Sequence, residues 1–231
     1  MSTPQVHDLA NIGILADLTP EERRDFEMSC RWRRFSPDEQ TISQQEESRD
    51  VYFITRGRVR VVSFTFSGKE VALEDLLAGA YFGELAALDG KPRSTSVLAV
   101  EDSDIAKISG ERFLRVLEKH PQVALKVMRN MAGIIRTSTA RIIDLSTLGA
   151  NNRVHGELLR QARAVSSDGN TAVLKPIPVH SDMASRASTT RETVARVLSD
   201  LSRKGIVKRE RESLVICDVE TLEEMVEDVR G

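Results

Sequence analysis

The chain has 231 residues, of which 33 are Lys or Arg and 35 are Asp or Glu, so its formal net charge is −2. This length allows two domains, each with its own core. The near balance of charge excludes a uniformly basic nucleic-acid binder, so any DNA-binding surface must be local. Two cysteines are too few for a disulfide framework, and we find no signal peptide or membrane-spanning run. A cytoplasmic protein is therefore expected.

The N-terminal stretch is predicted to be helical over about residues 5–30. Thr19-Pro20-Glu21-Glu22 is typical of a helix start. The apolar residues at helical spacing in this stretch are Leu9, Ile12, Leu15 and Leu18.

From about residue 33 the pattern changes to short alternating strands separated by glycine turns, one of them at Ser67-Gly68-Lys69. The predicted strands are 51–55, 59–64, 71–77, 94–100 and 103–109. Strands and turns at intervals of about ten residues predict an antiparallel barrel or roll. The chain is therefore assigned to the α+β class.

Residues 82–97 contain the first candidate binding site. Gly83 allows the backbone to approach a ligand closely, and a helical turn starting at Glu84 would point free N–H groups at an anion. Pro92 fixes the backbone before Arg93, whose planar guanidinium suits a phosphate, and Ser94 adds a hydroxyl. On spacing alone, the alternative is a surface loop with a salt bridge between Glu84 and Arg93.

This stretch resembles the phosphate-binding cassette of cyclic-nucleotide-binding domains, in which Gly-Glu-Leu precedes an Arg-Ser pair. The resemblance implies that Glu84 holds the ribose 2′-hydroxyl and that Arg93 and Ser94 hold the cyclic phosphate. The implied cyclic-nucleotide site in the roll comprises Gly83, Glu84, Leu85, Arg93, Ser94 and Thr95.

The sequence departs from this family pattern at three positions. Thr95 stands where the cassette usually has Ala. Two glycines that usually occur early in the roll are replaced, in our alignment, by Asp38 and Glu46. The first turns of the roll are therefore expected to differ.

A helix pair is predicted over about 111–148, with a break near His120-Pro121. Residues of the second helix that alternate in steps of four and three are Ala124, Met128, Met131, Ile135, Ser138, Ile142 and Leu145. A heptad seam of this length predicts a two-stranded coiled coil and hence a homodimer. The alternative is a single helix that packs on its own roll.

Ser138 is a polar residue in this apolar seam, and Thr139 stands beside it. The two hydroxyls can bond back to their own helix, or they can contact a ligand base at the interface. The cyclic-AMP receptor protein family carries a Thr-Ser pair at this place, which contacts the purine from both subunits. The resemblance implies that Ser138 and Thr139 contact the base, so that the ligand bridges the roll and the dimer helix.

Residues 148–152 are predicted to break the helix and to act as a hinge. We place the domain boundary here, with the roll and its dimerisation helix (about 121–148) in residues 1–149. Residues 150–231 form the second domain, which opens with an amphipathic helix over 153–164.

A helix-turn-helix is predicted within residues 181–204. Ser181 is expected to cap the first helix, and a turn follows at Ser188. Thr189 and Glu192 fit a capping box that starts the second helix, and Gly205 fits its end. The segments 206–208 and 214–216 are predicted to form a hairpin, the wing of a winged helix-turn-helix.

The second helix presents Arg191 and Arg196 outward, and arginine is well matched to guanine in the major groove. Residues 186–211 contain eight basic and three acidic residues, a local net charge of +5. Such a patch favours DNA binding, and a solvated helical face is the alternative.

The sequence of residues 189–198 strongly resembles the recognition helix of the cyclic-AMP receptor protein/FNR family of bacterial transcription regulators. The resemblance spans nearly the whole chain and implies that Arg191, Glu192 and Arg196 read bases. The implied DNA-binding residues are Thr189, Thr190, Arg191, Glu192 and Arg196.

The function expected from these features is a homodimeric regulator that binds a palindromic operator under the allosteric control of a cyclic nucleotide. A lean towards cyclic AMP over cyclic GMP rests on Ser94 and the hydroxyl pair at 138–139. The family resemblance also implies RNA polymerase as a partner.

Two further classes of function remain open. A family regulator could use another effector: an iron–sulfur cluster needs more cysteines than this chain has, and the four histidines form no evident haem-binding pair. A cyclic-nucleotide module acting on a protein partner is the other class, which the outward arginines oppose. No catalytic set or metal cluster is recognised, so an enzyme is not expected.

Overall fold

The computed structural model describes residues 8–65, 70–166 and 169–228. The chain forms two compact units, Met1–Gly133 and Ile134–Gly231. The predicted turn at Ser67-Gly68-Lys69 and the first residues of the predicted N-terminal helix (5–7) lie outside the described residues.

The N-terminal segment of the first unit is not the continuous helix that was predicted. A short 3₁₀ turn, Gly13–Leu15, precedes helix α1 (Pro20–Met28). The predicted helix start is confirmed, because the Thr19 hydroxyl accepts the Glu22 N–H and the Glu22 carboxylate accepts the Thr19 N–H. The four apolar residues upstream are still buried, because a spacing of three also suits 3₁₀ turns.

The roll consists of two antiparallel four-stranded sheets with strand orders β1-β8-β3-β6 and β2-β7-β4-β5. Its described strands are β1 (Arg31–Phe35), β2 (Gln40–Ile42), β3 (Val51–Arg56), β4 (Arg58–Phe64), β5 (Glu70–Leu77), β6 (Tyr81–Phe82), β7 (Ser96–Ala99) and β8 (Ser103–Ile108). The predicted antiparallel roll is therefore confirmed, although β1, β2 and β6 were not predicted individually. Between β6 and β7 lies the short helix α2 (Glu84–Asp89).

Two helices follow the roll and confirm the predicted break. Helix α3 (Gly110–Lys119) starts after Ser109, whose hydroxyl accepts the Arg112 N–H. Helix α4 (Pro121–Thr147) begins directly after His120. Val123 and Val127 on α4 are buried in the core of the first unit.

The second unit combines helices with a small sheet of order β10-β11-β9. Its described elements after α4 are α5 (Ala150–Val165), β9 (Ala172–Leu174), α6 (His180–Arg186), α7 (Arg191–Arg203), β10 (Val207–Arg209), β11 (Leu214–Ile216) and α8 (Val219–Glu227). The interruption between α4 and α5 is shorter than predicted, because α5 already begins at Ala150 with Gly149 as its N-cap. The antiparallel pair β10–β11 confirms the predicted wing.

No helix in the described ranges is long and apolar enough to cross a membrane.

Candidate ligand and DNA-binding sites

The cassette is built around Gly83, which follows β6 and is the N-cap of α2 with a φ of +86°. A Cβ at this position would lie 2.8 Å from Nη1 of Arg93 and 2.9 Å from the carbonyl oxygen of Asp50. Only glycine fits both the left-handed backbone and this close approach. The predicted helical turn after Gly83 is present as α2, which ends at Gly90.

Arg93 is buried rather than displayed on a surface loop, with only 2% of its surface exposed. Its Nη1 donates to the carbonyl of Gly83 at 2.8 Å, its Nη2 to the carbonyl of Asp50 at 2.7 Å, and its Nε to the Ser48 hydroxyl at 3.1 Å. Its guanidinium also lies 5.8 Å from the ring centroid of Tyr52, within the range of a cation–π contact. Protein groups thus hold in place the guanidinium of Arg93, the residue that is predicted to bind the phosphate.

The segment 43–50, between β2 and β3, is hydrogen-bonded to Arg93 and Ser96 of the cassette. Gln45 donates its N–H to the carbonyl of Arg93, and the Arg93 N–H donates to the carbonyl of Glu46, both at 2.9 Å. The hydroxyl of buried Ser96 accepts the Gln44 N–H at 2.9 Å. These bonds hold the segment 43–50 against the backbone of Arg93.

Two turns of the roll carry non-glycine residues in the left-handed region, Asp38 (φ 65°) and Gln45 (φ 69°). Asp38 is one of the two residues that were aligned with the family glycines, and the other, Glu46, directly follows Gln45. That alignment stays a prediction. Backbone hydrogen bonds join Arg93 to Gln45 and Glu46 and hold this turn in position. No sequence pattern predicts these hydrogen bonds.

Glu84 is the first residue of α2, and only 7% of its surface is exposed. Burial raises the pKa of its carboxyl group above the ordinary value, and a hydrogen bond from its own backbone N–H and the positive charge of Arg93 offset only part of this rise. A buried carboxylate with a raised pKa costs stability, which is typical of a group retained for binding rather than for folding.

We expect Glu84→Gln to stabilise the protein at neutral pH, because the amide avoids the cost of burying a charge. A raised pKa means that the folded state binds the proton more tightly than the unfolded state. The gain should therefore shrink as the pH falls through the raised pKa towards about 4.3, the ordinary value for Glu. Urea unfolding at several pH values measures this. A gain independent of pH would contradict the assignment, and Glu118→Gln, at an exposed position of α3, is the control.

The remaining cassette residues differ in exposure. Ser94 and Leu85 are exposed, and Thr95 is half-buried. Sequence reasoning missed Ser48, Tyr52 and Ser96, which hold Arg93 and the segment 43–50. No sequence signal distinguishes these residues from other polar or aromatic residues in the strands and loops.

Ser138 and Thr139 lie on the part of α4 that belongs to the second unit, and both are exposed in the single chain. The apolar seam residues Met128, Ile135, Ile142 and Leu145 are also exposed, by 57%, 63%, 64% and 50%. Ala124 and Met131 are half-buried, and Met131 packs against the core of the first unit. The exposed apolar face of α4 is wider than the predicted seam, because Ile134 and Ile143 are exposed as well.

The helix-turn-helix consists of α6 and α7, joined by a turn in which Ser188 has a φ of +47°. The predicted cap at Ser181 is wrong, since α6 already begins at His180 with Val179 as its N-cap. Arg153 on α5 stabilises the turn by donating to the carbonyl oxygens of Ala187 and Ser188 at 2.8 and 2.9 Å.

Helix α7 starts one residue later than the predicted capping box implies. Thr190, and not Thr189, is its N-cap, and the Thr190 hydroxyl accepts the Thr193 N–H at 3.3 Å. Thr189 is instead half-buried in the turn, where its N–H donates to the carbonyl of Ala184. Hydrogen bonds from its own backbone N–H and from Thr190 lower the pKa of Glu192.

The outward arginines of α7 lie where they were predicted. Arg191, Glu192 and Arg196 are exposed, while the opposite face of the helix is buried in the core of the second unit. The buried residues of that face are Val194, Val197 and Leu201. The core thus fixes which side of α7 is available to a groove of DNA.

The basic patch is smaller than the composition of residues 186–211 implies. The side chain of Arg186 is mostly buried and lies 3.8 Å from buried Glu157 in an ion pair. Arg203 is paired with Asp200, and Lys208 lies 3.7 Å from Glu210. Lys204, Arg209 and Arg211 are exposed near α7 or on the wing.

Among the residues that the structure describes, no three His, Cys, Asp or Glu side chains lie close enough together to hold a metal ion.

Two family models match the chain in the order of its elements. Residues 32–120 match the cyclic nucleotide-binding domain, and residues 152–225 match the Crp-like helix-turn-helix domain. The first match covers the roll with α2 and α3, and the second covers the segment from α5 to α8.

Comparison with whole proteins gives the same result. The cyclic AMP receptor protein of Thermus thermophilus is 32% identical over 209 residues, which cover 90% of this chain and 94% of that protein. The crystal structure of Thermus thermophilus catabolite activator protein is 29% identical, with a TM-score of 0.53, and the match covers 94% of this chain and 99% of that one. A CooA mutant from Carboxydothermus hydrogenoformans has the same fold, with a TM-score of 0.79 at 22% identity and 95% coverage of both chains. The chain therefore belongs to the cyclic-AMP receptor protein/FNR family of DNA-binding transcription regulators.

Proposed function

We propose that this protein is a homodimeric, sequence-specific transcription regulator whose binding to a palindromic operator is controlled by cyclic AMP. The observation that carries the DNA-binding part is the exposed face of α7, which presents Arg191 and Arg196 while its opposite face is buried. The proposed role is regulatory rather than enzymatic. Cyclic GMP is the alternative to cyclic AMP as the controlling ligand.

The proposed ligand site is the cassette. Buried Glu84 lacks the hydration of an exposed carboxylate, and a ribose hydroxyl would donate a hydrogen bond to it. Gly83 lets the backbone lie close to the Arg93 guanidinium, and Arg93 supplies positive charge for the cyclic phosphate. The name of the relative with 32% identity, a cyclic AMP receptor protein, favours cyclic AMP. Leu85, Ser94 and Thr95 complete the proposed set, with Ser138 and Thr139 as proposed base contacts.

One observation favours a second candidate, a family regulator that uses another effector or none. The guanidinium of Arg93 already donates to Ser48 and to two carbonyl oxygens, and it is almost completely buried. In this alternative Arg93 stabilises the roll, and a haem ligand or another small molecule acts elsewhere. Calorimetric titration with cyclic AMP and then cyclic GMP separates the two candidates. Saturable binding of either nucleotide supports the first, and no heat with both supports the second.

The homodimer is proposed from the exposed apolar face of α4. Isolated exposed apolar residues are common, but a continuous stripe on one helix indicates an interface. A second copy of the same helix is the partner that fits a heptad pattern. We also propose that the functional boundary lies at residues 149–150. An interaction with RNA polymerase and a cytoplasmic location follow from the proposed role.

We expect Arg196→Ala to weaken binding to the cognate operator by about 1–3 kcal/mol, because a bidentate contact to a guanine edge is lost. Binding to random DNA should change much less, since phosphate contacts elsewhere remain. Fluorescence anisotropy with an operator selected from a random pool, and with unrelated duplex, measures both affinities. Equal losses on both duplexes would assign Arg196 to the phosphate backbone. Arg203→Ala is the control, because Arg203 lies at the end of α7 and pairs with Asp200.

A further inference from the structure

Two carboxylates are buried within the second unit, away from the exposed face of α7. Asp144 lies near the end of α4 and Glu157 lies on α5, and they are 2% and 1% exposed. A buried charge is costly unless it is paired, and removing one partner of such a pair is strongly unfavourable. The contacts of these two side chains therefore restrict how the surrounding helices can be arranged.

One arginine joins both carboxylates. Nη1 of Arg160 donates to Oδ2 of Asp144 at 2.6 Å, and its Nε donates to Oε2 of Glu157 at 3.2 Å. Asp144 is on α4 whereas Arg160 is on α5, so this bond fixes the end of α4 against α5. Gly156 faces the same point, where a Cβ would lie 3.3 Å from Oδ2 of Asp144.

Glu157 extends the same cluster to the helix-turn-helix. Its Oε1 lies 3.8 Å from Nη1 of Arg186, the last residue of α6, and accepts a hydrogen bond from Gln161 at 3.0 Å. Its Oε2 lies 3.8 Å from Nη2 of Arg141 on α4. Two carboxylates and three arginines therefore connect α4, α5 and α6 through charged contacts.

We propose that this cluster, the carboxylate clasp, is the positioning device that fixes the helix-turn-helix relative to the second half of α4. The clasp comprises Asp144, Glu157 and Arg160, with Arg141 and Arg186. The hydrophobic effect is non-directional, so apolar burial alone specifies the relative position of two helices less sharply than directional bonds do. Hydrogen-bonded ion pairs are directional, and a shifted arrangement would leave a buried carboxylate without its partner.

The consequence for DNA binding follows from symmetry and rests on the proposed function. In a dimer formed along α4, the orientation of each helix-turn-helix on α4 sets the separation of the two α7 helices. A palindromic operator has a fixed distance between its half-sites. The clasp residues would thus determine which half-site spacing the dimer accepts, although none of them needs to contact DNA.

The direct test measures the orientation without DNA. Spin labels are attached to cysteines introduced by Ser146→Cys on α4 and Ser202→Cys on α7, in a chain with Cys30→Ala and Cys217→Ala. The labels report the distance between these two helices. The labelled chain is diluted with unlabelled chain. We expect Asp144→Asn and Arg160→Met to widen the distance distribution at least twofold. Because a single substitution can impair folding, the apolar pair Asp144→Leu with Arg160→Met removes Asp144 together with its partner, while Glu157 keeps its contacts with Arg141, Arg186 and Gln161. This variant should widen the distribution as well.

The matched control is Glu223→Gln, which removes an ion pair between α8 and Arg163 on α5 that does not involve α4. It should leave the distance distribution unchanged. An unchanged distribution in the folded apolar pair would overturn the proposal and leave the cluster with a purely structural role.

A second readout uses selected operator duplexes in which the half-site spacing is changed by one or two base pairs. The ratio of affinities between the best and the altered spacing should fall at least tenfold in the clasp variants, while binding to a single half-site stays unchanged. An unchanged ratio would contradict the role in spacing. Failure of the unaltered protein to select any operator would instead refute the proposed function. The distance distribution would still show whether the clasp positions the helix-turn-helix relative to α4.

Discussion

Arg93→Leu is expected to abolish cyclic-nucleotide binding and also to lower the free energy of unfolding by about 2–6 kcal/mol. The ligand effect follows from losing the cation that would bind the cyclic phosphate. The stability effect follows from the structure, because leucine leaves the carbonyl oxygens of Gly83 and Asp50 buried without a donor, at about 1–3 kcal/mol each. Calorimetric titration with cyclic AMP and urea unfolding measure the two effects.

The control must separate loss of the site from loss of the fold. Ser48→Ala removes one acceptor from the Arg93 guanidinium but keeps its charge, so it should cost about 1 kcal/mol of stability and retain ligand binding. Binding in the leucine variant as tight as in the unaltered protein would contradict the cassette assignment. A stability loss without any ligand binding in the unaltered protein would favour the regulator that uses another effector.

Replacing Ile135 and Ile142 together by Glu is expected to convert the protein to monomers and to weaken operator binding at least 100-fold. These side chains are 63% and 64% exposed in the single chain. Burial of each isoleucine contributes about 1.5–3 kcal/mol, and a dimer loses four of them and gains four like charges in the seam. Analytical ultracentrifugation measures the assembly, and anisotropy measures operator binding.

Thr137→Glu adds a charge at an exposed position of α4 outside the seam, and should leave the dimer intact. The double variant should still bind a single half-site like the unaltered protein, because the core that supports α7 is not changed. If the double variant remained a dimer at micromolar concentration, the subunits would have to associate through another surface.

The order of the roll, α2, the helix pair and the helix-turn-helix was predictable from the sequence, because each of these has a local signal. Glycine turns and alternating apolar residues predicted the roll, and the cassette predicted α2 with Gly83 at its start. The prediction from apolar spacing was wrong where an α-helix and 3₁₀ turns place apolar residues at similar intervals. Leu9, Ile12, Leu15 and Leu18 predicted a continuous helix, yet they lie in turns and a 3₁₀ segment that bury the same side chains.

Helix caps were predicted less well, because several neighbouring hydroxyls satisfy the same local rule. Thr189 and Thr190 both precede α7, and the conformation of the turn decides between them. The Thr189 N–H donates to the carbonyl of Ala184 in α6, and the Thr190 hydroxyl accepts the Thr193 N–H. Likewise Ser181 has the residue type of a cap but lies inside α6.

The sequence by itself determined the residue types of the two candidate sites, since Glu84, Arg93, Arg191 and Arg196 follow from motifs with fixed spacing. Only the tertiary structure decided what these residues contact. The burial of Arg93 depends on Ser48 and Asp50, more than 40 residues away in sequence, and the pairing of Asp144 with Arg160 depends on the packing of two helices. Spacing along a chain determines which residues share a local element, whereas burial and charge pairing depend on which elements fold against each other.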